Sequence, residues 1–106
     1  MALVAKSLDA ATTTGVGSTI LFDTPKSNVS MQVSYIGGPS YVSVALEGTL
    51  DGTTFAAVTT FNSGSHANGA IRSAAGPALL GVRANLTDLD GGSSPAVTAT
   101  FAAGAG

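Results

Sequence analysis

His66 is the one histidine in the chain, and it sits in Asn62-Ser63-Gly64-Ser65-His66-Ala67-Asn68-Gly69, a run of small and polar residues. An imidazole can act as a general base or a metal ligand, and either role needs a second side chain to orient the ring. A serine hydrolase would need a serine and an acid held with it, usually on a G-x-S-x-G elbow, and Gly64-Ser65-His66 does not have that pattern. Asp88-Leu89-Asp90-Gly91-Gly92 resembles a calcium loop in its alternating carboxylates and its glycine turn, yet it lacks the further carboxylates and the closing Glu that complete an oxygen cage. Gly15-Val16-Gly17 lacks the third glycine and the strand-to-helix setting of a phosphate loop, and reads as a flexible connection. Tyr35 and Tyr41 flank a turn in a chain without tryptophan, so a sugar-stacking face would require both rings exposed side by side. The resulting expectation is a chain with no catalytic, cofactor-binding or metal-binding residues, in which His66 is a solvated loop histidine and Asp88 and Asp90 form an ordinary acidic turn.

The elements that would carry these residues are strands. Val29, Met31, Val33 and Tyr35 alternate with Ser30, Gln32 and Ser34, a period of two that turns one face inward. Gly37-Gly38-Pro39-Ser40 supplies turn chemistry, and Tyr41 to Thr49 alternates again, so the two segments predict a hairpin. Asp51-Gly52 suits a tight turn into a strand over 55–61. Further strands are expected over 3–8, 19–22, 70–73, 80–86 and 97–101, with loops over 62–69 and 88–95, and with 102–106 too small and flexible to contribute much. No window keeps a 3.6-residue period, and each of the 14 glycines would cost a helix about 1 kcal/mol. The fold class expected is all-β, a single domain over 1–106 forming an antiparallel β-sandwich or jelly roll of about eight short strands, with a closed barrel as the next choice. Alternation places Val42, Val44 and Leu46 in one core with Val29, Met31, Val33, Val82, Leu86, Val97 and Phe101.

Composition narrows the function classes. Four Lys or Arg and six Asp or Glu in 106 residues fall far below the roughly 25% charged content of ordinary soluble domains. The exterior must then be covered by Ser, Thr, Gly and Ala. A compact extracellular domain could look like this, but the sharper reading is a surface covered by neighbours in an assembly. Lys6, Lys26, Arg72 and Arg83 are dispersed, so no basic patch marks a nucleic-acid partner. No stretch approaches 18 uninterrupted apolar residues, and the start lacks the charged and apolar regions of a secretory signal, so neither a membrane span nor an export signal is read here. Without cysteine there is no disulfide framework, and redox chemistry does not indicate a compartment.

Glu47-Gly48-Thr49-Leu50-Asp51-Gly52-Thr53-Thr54-Phe55 resembles a strand-turn-strand segment of small virion proteins of tailed bacteriophages. So do Val4-Ala5-Lys6-Ser7-Leu8-Asp9, the stretch from Gly81 to Thr87, and Pro95-Ala96-Val97-Thr98-Ala99-Thr100, so the resemblance covers most of the chain. It implies a non-enzymatic virion structural protein, foremost a capsid decoration protein made in the host cytoplasm and binding the outer shell of the particle. Its partners would be further copies of itself, as a homo-oligomer such as a trimer, and a major capsid protein. The alternative is a carbohydrate-binding or adhesion β-sandwich module associated with a head fibre or tail.

Overall fold

The computed structural model describes residues 3–103, with the backbone alone at 3 and 75–77. These residues contain seven strands and no helix: β1 (Leu3–Ala11), β2 (Gly15–Val16), β3 (Ile20–Ile36), β4 (Tyr41–Thr49), β5 (Phe55–Asn62), β6 (Ile71–Asp90) and β7 (Ala96–Ala103). All pairings are antiparallel, in the order β1-β7-β3-β6-β4-β5 with β2 on β6. The all-β antiparallel class expected from the alternation is the one observed.

Two of the strands are too long to lie in one flat layer. Straight, the 20 residues of β6 would run about 65 Å at roughly 3.3 Å per residue, whereas the longest dimension of the molecule is 40 Å. β6 therefore bends. Its residues 71–75 pair with the second half of β3, Leu79, Gly81 and Val82 pair with the first half of β3, and residues 81–90 pair with β4. β3 bends opposite it, where its ladder with β6 shifts register between Leu21 and Lys26 and again between Lys26 and Asn28. Pro25 falls in that interrupted stretch, where a missing N–H costs no ladder bond. One continuous hydrogen-bonded sheet thus folds over itself into two layers. The first holds β1, β7, the second half of β3 and the start of β6; the second holds the rest of β6 with β2, the start of β3, β4 and β5.

The core lies between the layers. All ten residues assigned to it by alternation are at most 1% exposed, joined by Phe61, Ala84 and Ala99 at 0%. At roughly 1.5–3 kcal/mol for each large apolar side chain removed from water, this cluster is the main favourable contribution to folding.

Several sequence expectations are corrected. Gly37–Ser40 does not close a hairpin: β3 pairs with β6 and β7, and β4 pairs with β5 and β6. The loop is an arch between layers, so the two alternating strands face each other across the core. Strands expected over 19–22 and 28–36 are one strand, as are those over 70–73 and 80–86, which reduces eight to six. The seventh is β2, at the segment read as a flexible connection. Asp88 and Asp90 belong to β6, and the loop begins at 91. Ala102 and Ala103, expected to trail, end β7, with Ala103 only 2% exposed; residues 104–106 lie outside the described residues.

β2 and the residues after it join the layers at one side. Gly17 N–H donates to the Ala84 carbonyl at 2.7 Å, and Ser18 N–H donates to the Ser7 carbonyl at 2.8 Å. The buried Ser7 hydroxyl donates to the Ser18 carbonyl at 2.7 Å and accepts from Ala84 N–H at 2.9 Å. Gly17 lies so close against the Ser7 carbonyl that no Cβ would fit.

Candidate interaction face

The residues singled out for chemistry are drawn into structural work. His66 stacks on Phe61 with ring centroids 5.7 Å apart, and its Nδ1 accepts the Asn62 N–H at 3.2 Å, which places the ring proton on Nε2. It is a packed loop cap, where a freely solvated side chain was expected. Asp88 and Asp90 do lie side by side, two residues apart on β6. The hydrogen bond that the protonated Asp88 carboxyl donates to Asp90, partial burial and the repulsion of the second carboxylate together hold the Asp88 carboxyl above its ordinary range. Among the described residues, no three His, Asp or Glu side chains converge as a metal site requires. Tyr35 packs inward against Phe61, ring centroids 6.3 Å apart and tilted, so it does not form an exposed stacking platform with Tyr41.

The outer face of the second layer carries the polar network that sequence reasoning missed. Glu47 stands opposite Arg83 across the β4–β6 ladder. Arg83 Nε donates to Glu47 Oε1 at 2.7 Å, Asn85 Nδ2 donates to Glu47 Oε2 at 3.0 Å, and the guanidinium lies 4.0 Å over the Phe55 ring. The signal was available: Arg83 and Asn85 are two apart and outward, as is Glu47 on the neighbouring strand. Each of these charges is already satisfied within the chain.

The outer face of the first layer is different. The ladders align Val4, Ala102, Ser30 and Ser73 in one row across β1, β7, β3 and β6, and Lys6, Thr100, Gln32 and Ile71 in the next. Beyond them Thr98 stands beside Ser34, and Ala96 beside Ile36. Lys6 is the one charged side chain in these rows, and it is loosely paired with Asp9 at 3.8 Å. Val4 is 69% exposed and Ile71 59%. They wall a shallow groove of about 180 Å³, lined also by Ser30, Gln32, Thr100, Phe101 and Ala102. Its polar side chains are partly spent: the Ser30 and Ser73 hydroxyls bond each other at 3.1 Å, and Gln32 Nε2 donates to the Gly69 carbonyl at 2.9 Å.

The β4–β5 turn holds Leu50, 73% exposed. Asp51 Oδ1 accepts Thr53 N–H at 2.8 Å, Thr54 N–H at 2.7 Å and the Thr49 hydroxyl at 3.0 Å. Those bonds, the two backbone amides first, hold the Asp51 carboxyl far below its ordinary range. Gly52, at φ +86°, lets the chain reverse. The segment that carries the resemblance to virion proteins is thus a closed hydrogen-bonded turn.

No known protein-family profile and no curated protein matches the chain. Solved structures do. The SPBc2 prophage-derived protein YomS superposes with a TM-score of 0.67 at 13% identity, covering 97% of this chain and 92% of that one. The likeness is one of fold. The PBSX exported protein XepA gives a TM-score of 0.74 at 11% identity over 97% of this chain, which spans 37% of XepA's length. YomS and this chain are therefore nearly co-extensive, whereas in XepA the same architecture is one part of a larger chain.

Proposed function

We propose that the chain is a non-enzymatic structural module of a bacteriophage particle, a capsid decoration protein that binds the outer shell through the outer face of its first layer. The observation that carries this reading is the face itself: two four-strand rows in which apolar Val4, Ala102 and Ile71 stand among uncharged polar side chains, with Lys6 the one charge among eight residues. Such a surface is poorly suited to catalysis or to recognising phosphate, and well suited to lying against another protein. The prophage origin stated in the name of YomS, and the fold shared with it, support a phage setting. In this reading affinity comes from apolar burial and shape, each copy contributes a modest area, and several copies, as in a trimer at a local threefold of the shell, hold on together.

Placing a charge in the middle of the face tests it. Ala102 is exposed, so Ala102→Glu should fold normally while its retention on particles falls at least tenfold, since an unpaired carboxylate would be buried on attachment. Unchanged retention of a folded Ala102→Glu protein would contradict the assignment of this face.

A further inference from the structure

We propose that the groove between Val4 and Ile71 receives the Leu50 side chain of a second copy of the chain, making a head-to-tail contact. This rests on reading the first-layer face as a binding surface: the groove takes Leu50 of a second copy while the protein is free, and the shell displaces it on attachment.

Four observations fit this occupant. The groove, at about 180 Å³, has room for a branched aliphatic side chain; an apolar cavity of about 150 Å³ accepts a benzene-sized group. Its Ser30 hydroxyl and the Gln32 amide nitrogen are already bonded within the chain, so an apolar guest strips neither of a partner.

Leu50 is the complementary feature. It is exposed on a turn fixed by Asp51 and Thr49: besides the bonds to Asp51, the Thr49 hydroxyl accepts Gly52 N–H at 2.9 Å. A side chain presented on a rigid turn gives up little freedom when it docks. The charges beside the two features also match. Asp51 follows Leu50 in the turn, and Lys6 lies one row from Val4 at the groove.

The Leu50 turn and the groove belong to different layers, so the contact is heterologous: each copy offers both a knob and a hole. Contacts of this kind close into rings where the rotation allows and extend otherwise.

The test follows from that asymmetry. Leu50→Asp keeps the groove and loses the knob; Ala102→Trp keeps the knob and fills the groove. In sedimentation equilibrium the wild-type protein should gain mass between about 20 µM and about 1 mM, a range matched to a weak contact. Each single variant should weaken this association at least tenfold, and Leu50→Ser should do the same without an added charge. An equimolar mixture of Leu50→Asp and Ala102→Trp should form a 1:1 pair and nothing larger, because one intact knob and one intact hole remain. A monomeric wild type at about 1 mM, undiminished association of Leu50→Asp, or a mixture that stays monomeric while the wild type associates would overturn the proposal. Because Leu50→Asp leaves the first-layer face untouched, it should stay on particles as the wild type does; loss of retention by Ala102→Glu together with undiminished self-association of Leu50→Asp would retire this contact and leave the attachment face standing.

Discussion

Two carboxylates of this chain are set in opposite directions, and each leaves a mark on stability against pH. Asp51 is held below its ordinary value of 3.8 by the amides of Thr54 and Thr53. Its folded form therefore binds the proton less readily than the unfolded chain, so the stability it confers is present above about pH 4 and drains away as pH falls. Asp88 is held above 3.8 by Asp90, so its charged form is disfavoured in the fold, and stability rises as pH falls from neutrality toward 3.8. The urea midpoint of the wild type should accordingly climb slightly on mild acidification and then drop below about pH 4. Asp88→Asn should flatten the climb, and Asp51→Asn should lower the midpoint at neutral pH and blunt the acid drop. His66 belongs to the same scale. His66→Ala removes the stack on Phe61 and a partner for Asn62 N–H, and should cost about 1 kcal/mol by urea titration.

Among the elements, the join at β1, β2 and β6 concentrates the most structure in the fewest atoms. Ser7→Ala leaves the Ala84 N–H without its partner inside the protein, and should lower the unfolding free energy by about 1–3 kcal/mol in denaturant titration. The strands also show what could be read in advance. Period-two alternation found ten core residues on β3, β4, β6 and β7, because burial on one side of a pleated strand leaves a local signature, and it missed Phe22, Ala74, Leu79 and Ala103. Pairing leaves none. Gly37-Gly38-Pro39-Ser40 has the chemistry of a turn whether the strands it joins bond to each other or face each other across a core, and only the second layer decides between them. The long strands were hidden for a related reason: Pro25 and the Gly76-Pro77 dipeptide look like breaks, but both fall where β3 and β6 bend from one layer to the other. Ser7 was unreadable because its partners, Ser18 and Ala84, are distant in sequence. The candidate face was legible only as a shortage of charge; its rows exist once the register of four strands is known.

For the whole molecule, the central distinction is between a face that must be buried to fold and one that remains free to bind. Leu46→Asp would put an unpaired carboxylate into the shared core, at a cost of several kcal/mol against a total stability of about 5–15, and should abolish folding as followed by circular dichroism. Charges on the first-layer outer face should instead leave folding intact and act on attachment. Removing 1–4 takes away the Val4 wall, together with Met1 and Ala2, which lie outside the described residues; it should release the protein from particles more than removing 104–106. The most direct measurement of the account is retention on the particle as salt is raised from about 0.05 to about 1 M, over which the screening length shrinks from over 10 Å to roughly 3 Å. An attachment made by a nearly uncharged face should hold to within about twofold across that range. Release that rises steeply with salt would contradict it, and would move the binding surface to the few charges the chain carries.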